Sequence, residues 1–208
     1  MTNKIHPSRR WALGQLAFLG TAAVLPTPVS ARIMTPEQAE GPFYPRKNMR
    51  FTDQDNDLVK VASALREAGG EIILLKGRVT SPDGTPASAA RIEIWQVDSN
   101  GRYLHSGESG KHPRDPNFQG FGFAIADTDG RYVFRTIKPI AYPGRAPHIH
   151  VKVFHGGMEL TTQFYIDGHP LNERDVLWRR MSGEERGLVA MRFAQSTQDE
   201  EATVDIRL

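Results

Sequence analysis

The 208-residue chain predicts an all-β domain, a β-sandwich or barrel with long irregular loops and little helix. Two observations predict it. From Glu71 onward, short segments alternate apolar and polar residues or run β-branched and aromatic. Between them stand strong turn signals: Pro82-Asp83-Gly84, Ser99-Asn100-Gly101, Thr128-Asp129-Gly130 and Gly156-Gly157. The length suits one domain plus something short at an end.

The short piece comes first. Residues 1–31 hold a basic start ending in Ser8-Arg9-Arg10-Trp11, an apolar run from Leu13 to Leu25, and small residues at Val29-Ser30-Ala31. This predicts an export signal of twin-arginine type, cleaved after Ala31, with an ordinary secretory signal as the plainer alternative. The apolar run is too short for a permanent membrane helix. The mature protein is therefore expected to be periplasmic or secreted and free of the membrane. Residues 32–70 follow as coil, Pro- and Gly-rich from Thr35 to Asp57, with one short helix expected over Val59–Ala68.

Residues 71–208 form the expected β-domain. Strands are predicted at Ile72–Thr80, Arg91–Val97, Gly120–Ala126, Arg131–Ile137, His148–Phe154 and Glu159–Ile166. A helical turn is expected over Asp175–Met181 and a last strand over Thr203–Leu208. Gly77-Arg78-Val79, the turn at Asp83-Gly84 and Asp129-Gly130-Arg131-Tyr132-Val133-Phe134 recur in prealbumin-like and carboxypeptidase-regulatory-like sandwiches, mostly binding or spacer modules, so a prealbumin-like or immunoglobulin-like sandwich is expected. Those features alone leave function unread.

Composition excludes several classes of chemistry. The chain has no cysteine, so disulfides, thiolate metal sites, iron–sulfur clusters and cysteine nucleophiles are ruled out. The formal charge is +2, but the first 31 residues hold Lys4, Arg9 and Arg10 and no acid, which leaves residues 32–208 at −1. No basic stripe with interleaved aromatics is present, so a nucleic-acid partner is not expected.

The chemistry concentrates in Tyr142-Pro143-Gly144-Arg145-Ala146-Pro147-His148-Ile149-His150. On a strand, residues i and i+2 share a face, so His148 and His150 present two imidazoles together. Such a pair is by itself as readily two polar residues on a wet face. Tyr142 on the preceding loop and Tyr103 after the Asn100-Gly101 turn would complete a hard set of two nitrogens and two phenolic oxygens. Phenolate ligation at neutral pH requires a strongly Lewis-acidic ion, and oxygen donors of this kind favour a trivalent one.

These residues resemble the intradiol ring-cleavage dioxygenases, and within them the protocatechuate 3,4-dioxygenase group. The resemblance runs from about Glu40 to Phe164 and weakly on to Leu208. It is carried by Glu40-Gly41-Pro42-Phe43-Tyr44, Ile92-Glu93-Ile94-Trp95-Gln96, Gly101-Arg102-Tyr103, Tyr142, Arg145, His148-Ile149-His150 and Thr162-Gln163-Phe164-Tyr165. It implies a non-haem iron(III) held by Tyr103, Tyr142, His148 and His150, a catecholic substrate, and cleavage by O2 between the two hydroxyl-bearing carbons to a cis,cis-muconate-type diacid. It further implies that Tyr142 leaves the metal and accepts a substrate proton. Arg145 would stabilise negative charge on the activated substrate, Gln163 would donate a hydrogen bond orienting Arg145 or an intermediate, and Gly41 and Pro42 would line the pocket. Trp95 is expected in the core, and His105, His112, His155 and His169 on the surface.

The chain also departs from the family. The Tyr142–Arg145 loop is short and lacks the tryptophan usual before the arginine, and no helical dimerisation domain precedes Glu71. A homo-oligomer is left open. Two rival readings stand beside the dioxygenase: a non-catalytic prealbumin-like binding module, and a copper or zinc protein using His148 and His150 alone, whose tyrosines would stay protonated and colourless.

Overall fold

Nine strands carry the fold among the residues that the computed structural model describes, 32–62 and 64–208. They are β1 Ile72–Thr80, β2 Arg91–Trp95, β3 Phe121–Ile125, β4 Arg131–Ile137, β5 His148–His155, β6 Met158–Ile166, β7 Ala190–Ala194, β8 Glu200–Thr203 and β9 Ile206–Arg207. Two short helices, α1 Val176–Arg180 and α2 Gly183–Val189, lie between β6 and β7. The expected all-β class with little helix therefore holds. The export-signal reading of residues 1–31 falls outside the described residues.

The strands form one hydrogen-bonded path, β3-β2-β5-β6-β7-β8-β1-β4, with β9 also on β1. The path curls so that its two ends, β3 and β4, come close without pairing. β7 makes the turn from one arm to the other: Tyr165 and Ile166 pair with Ala190 and Met191 on one side, and Arg192 to Ala194 pair with β8 on the other. Inside the curl lies a single large core built from Ile73, Leu75, Val79, Ile92, Ile94, Phe134, Ile149, Val151, Val153 and Phe164, all buried. This is the alternation read from the sequence, with one residue in two facing inward.

Two expectations need correction. The helix over Val59–Ala68 is not found among its described residues, which form turns and bends. Their bonds are not helical: just before them Leu58 bonds to Arg135 and to Gln119, the Val59 N–H donates to the Asp57 carboxylate, and Ala68 donates back to Val59. Leu58 and Val59 plug the core while Leu65 is fully exposed, a pattern with no helical face. The expected last strand is two strands, β8 and β9, broken at Val204 and Asp205. There the Asp205 carboxylate accepts from the backbone of Arg78 and the Val204 carbonyl accepts from Tyr132. β7 and α2 were not anticipated, although Ser182 and Glu185 form a capping box that marks the start of α2.

Candidate active site

The register of the β3-β2-β5-β6 arm builds the site. Trp95, His150 and Gln163 stand in one cross-strand row, and His148 faces Tyr165 in the next. All five lie on the strand face opposite Ile94, Ile149 and Phe164 and all are buried, Tyr165 joining the main core through its edge contact with Trp178 of α1.

Tyr103 enters from the loop after β2. Asp98 shapes that loop: its carboxylate accepts from the backbone of Asn100, Arg102 and Asp115, and Gly101 takes a positive φ. Tyr142 and Arg145 flank a tight turn closed by a 2.9 Å bond from the Arg145 N–H to the Tyr142 carbonyl. Pro143 fixes the first central residue, and Gly144 at φ 83° supplies the left-handed second. The short loop noted in the sequence is therefore the device that sets these two side chains abreast.

Three heteroatoms converge. The Tyr103 hydroxyl lies 3.2 Å from His148 Nε2 and 3.0 Å from His150 Nε2, and the two nitrogens are 3.2 Å apart. His148 Nδ1 lies 2.7 Å from the Ala146 carbonyl. A carbonyl only accepts, so Nδ1 carries the proton and Nε2 offers a bare lone pair. The Tyr142 ring packs within 5.4 Å of His148 and 5.6 Å of Tyr103, centroid to centroid.

Electrostatics keep the set neutral. Burial, then the Arg145 charge, lowers His148 to about 4. Burial, with His148 and Arg145 nearby, holds His150 well below its usual value. Burial pushes the Tyr103 phenol well above its usual range. At most two protons, one on Tyr103 and one on His150, are available to bridge three contacts. At least one contact is therefore left without a hydrogen bond. A cation bound at about 2.1 Å by adjacent ligands spaces them at about 3 Å, which is the edge of this triangle. The triangle of Tyr103, His148 and His150 therefore fits a hard, oxygen- and nitrogen-liganded metal ion, and the Tyr142 ring packs beside it.

Arg145 sits at the rim. Its Nη1 lies 3.5 Å from the Tyr142 hydroxyl, and Nη2 donates to Gln163 Oε1 at 2.5 Å and to the Tyr165 hydroxyl at 3.3 Å. Gln163 thus accepts from Arg145 instead of donating to it, because a guanidinium has no acceptor. The Gln163 amide in turn donates to the Ala39 carbonyl at 2.9 Å. Gly41 adopts φ 75°, and a Cβ there would lie 3.5 Å from His150 Cε1, so the coil runs directly over the imidazole. Pro42, next in the chain, is exposed.

Sequence reasoning missed three contributors. Asp175 salt-bridges Arg145, Tyr165 donates to Gln38, and Gln38 ties β6 to Met181. Only Asp175 left a signal, as a helix-capping type ahead of Val176. Trp95 is in a core cluster as expected, but it also stacks on His150, with centroids 4.8 Å apart at 11°. His112 is exposed, whereas His105 is half-buried against Phe43. A groove of about 890 Å3 opens beside the site, lined by Phe43, Tyr103, Lys111, His112, Ile140 and Tyr142 among others. A larger recess of about 1050 Å3 lies where β3 and β4 approach and touches none of the site residues.

Sequence comparison identifies the class: the chain belongs to the intradiol ring-cleavage dioxygenase family, whose profile, described as Dioxygenase, matches residues 39–208. Among relatives, the protocatechuate 3,4-dioxygenase beta chain of Burkholderia cepacia is 39% identical over 155 residues, covering 70% of this chain and 66% of that protein. Catechol 1,2-dioxygenase 1 of Acinetobacter lwoffii is 30% identical over 156 residues, 66% of this chain. This chain spans just under two thirds of the first relative and about half (48%) of the second. Among solved structures, the dioxygenase domain of a dioxygenase–carbohydrate-binding protein fusion from Streptomyces sp. SirexAA-E superposes with a TM-score of 0.64 at 30% identity, over 85% of this chain and 98% of that one. Catechol 1,2-dioxygenase from Acinetobacter sp. ADP1 shares the fold, with a TM-score of 0.62 at 23% identity over 84% of this chain and 62% of that one.

Proposed function

We propose that this chain is a non-haem iron(III) intradiol dioxygenase that opens a catechol between its two hydroxyl-bearing carbons, giving a cis,cis-muconate-type diacid that contains both atoms of O2. The observation that carries the reading is the convergence of Tyr103, His148 and His150 at 3.0–3.2 Å, with Tyr142 and Arg145 at its edge. Iron(III), when bound, would draw the catechol on as a chelated dianion and make a ring carbon electron-rich enough to react with O2.

The protein's own groups do the rest. Two neutral imidazoles and two phenolate oxygens offset most of a trivalent charge, so the metal keeps its affinity for an anionic substrate. Tyr103 is fully packed and stays in place, while Tyr142 is only half-buried and has room to move aside, taking a substrate proton on its hydroxyl oxygen. Arg145 presents N–H groups beside that position, where negative charge gathers on the substrate. Gln163 holds the guanidinium from one side, and Gly41 leaves space above His150 that a side chain would take. Gly41 and Pro42, with the groove beside Tyr142, form the substrate entry. On the same reading the two arms of the curled sheet are the layers of a prealbumin-like sandwich, and residues 1–31 are the export signal of a periplasmic or secreted enzyme.

A visible absorption spectrum tests the reading, taken on iron-loaded protein before and after anaerobic addition of catechol. A broad tyrosinate-to-iron(III) band that moves to longer wavelength is the expected result. Protein that stays colourless after iron reconstitution overturns it in favour of a binding module or a histidine-only copper or zinc site.

A further inference from the structure

Asp175 has no part in the chemistry described so far, yet its carboxylate is shared between two tasks. It ends the 3-10 turn Asn172–Arg174 and is the N-cap of α1. Oδ1 accepts from the backbone of Leu177 at 2.9 Å and Trp178 at 3.5 Å. Oδ2 accepts from Arg145 Nε at 2.8 Å and from the Ala146 N–H at 3.0 Å. The residue is 1% exposed. Burial alone would raise its carboxyl, but Arg145 and the backbone donors outweigh this and hold it below the usual carboxylate value, so it is an anion.

A helix cap needs one acceptor, and serine or asparagine supplies it as well as aspartate. Asp175 meets four donors with two oxygens, and one of those donors is charged. The guanidinium is planar, so fixing its Nε edge fixes the direction of the rest. With Nε held by Asp175, Nη1 points to Tyr142 and Nη2 to Gln163 and Tyr165. Gln163 and the two tyrosines are neutral as protonated groups. Among the described residues Asp175 is the anion salt-bridged to Arg145.

We propose that Asp175 is a positioning residue: it locks the Arg145 guanidinium beside Tyr142 and so sets the affinity of the site for a catecholate dianion. This rests on the role given to Arg145 above. It ties a surface helix pair to the site, since Asp175 caps α1 and orients Arg145 with the same carboxylate.

Two measurements test it, and one of them needs no metal. In the metal-free protein, the Arg145 Nε–H proton is expected to exchange slowly with solvent by NMR, and D175S is expected to speed that exchange at least tenfold. Serine keeps the cap, so the helices and the fold should survive. If D175S fails to fold, D175N replaces it; its amide can turn only one oxygen toward the two donor sets. In the iron-loaded protein, anaerobic titration with 4-nitrocatechol is expected to show binding weakened about tenfold or more in D175S, with the tyrosinate band before addition retained. In an R145Q background, D175S should add nothing further. Unchanged slow exchange of Arg145 Nε–H in D175S overturns the proposal, with or without iron. So does an equal loss of 4-nitrocatechol affinity in the Arg145 and R145Q backgrounds, which would mark a cap and nothing more. If wild type takes up iron without colour, the dioxygenase reading fails while the exchange measurement still decides the role of Asp175.

Discussion

The two faces of the β2-β5-β6 arm are equally buried and differently built. The inner face offers Ile92, Ile94, Ile149, Val151, Val153 and Phe164 to the core. The outer face carries Trp95, His148, His150, Gln163 and Tyr165, and further along it Glu93 and Lys152. The inner face is held by the transfer of apolar surface out of water, which tolerates any well-fitting hydrophobe. The outer face is held by directed contacts: Tyr44 to Glu93 at 2.5 Å, Lys152 to Glu40 and Glu159, and Arg145 to Asp175, Gln163 and Tyr165. One strand thus carries stability on one side and chemistry on the other, and substitutions should separate the two.

The largest effect is expected from His148→Ala. It should abolish iron retention and turnover while the far-UV circular dichroism remains that of a β-protein; an iron-loaded, active variant would show that the outer face is not the site. Tyr142→Phe comes next, with kcat reduced by about 10²–10⁴ and the visible band weakened, measured by steady-state kinetics and spectroscopy. On the inner face, Phe164→Ala should cost about 3–5 kcal/mol in urea unfolding and leave the spectrum per folded molecule unchanged. If the site spectrum shifts instead, the two faces are coupled more tightly than their packing implies.

Acid should act on the outer face specifically. His148 is lowered from 6.5 to about 4 in the folded protein, so between those values the unfolded chain binds the extra proton. Metal-free protein should therefore lose on the order of 3 kcal/mol as pH falls from about 6.5 to about 4, with no further loss from this group below that. Denaturant midpoints across that range check it, and the slope should fall in His148→Gln, with the remainder belonging to the other lowered imidazole, His150. The smallest effect belongs to Ile125→Thr. It lies on the outer face at the far end of the row from the site and is 55% exposed, so its change should stay within about 0.5 kcal/mol.

The inner face was the more legible in the sequence. Alternation in Ile72–Thr80, Arg131–Ile137 and His148–Phe154 needs only neighbouring residues, and those strands stand where the period put them, to within a residue. The ligand set was legible as residue types and through resemblance, because His148 and His150 are two apart on a strand. Of the residues around Arg145, Gln163 was legible, and Asp175 and Gln38 were not. Asp175 lies thirty positions on and Gln38 precedes β1, so each joins the site through tertiary packing that leaves no local period. The helix expected at Val59–Ala68 failed for the same reason. Leu58, just before it, bonds to Arg135 and Gln119, and Ala68 bonds back to Val59, so longer-range pairing overrode local propensity. β7 was missed because Ala190-Met191-Arg192-Phe193-Ala194 opens and closes on pairs of apolar residues and shows no strict alternation.

β1 pairs with β4 on one edge, and the strands on its other edge come from late in the chain. β8 and β9 run parallel to it there, pairing Ile73 with Glu200 and Val79 with Ile206. Arg207 is also bonded to Thr35, near the start of the described chain. Contacts across so much sequence are slow to form, because loop closure must precede any return from pairing. During synthesis β1 would leave the ribosome long before residues 200–207 exist, and would wait with an open, apolar edge. The complete fold around the proposed site therefore arises only after translation has passed residue 207, and until then the open edge of β1 is exposed to wrong pairing.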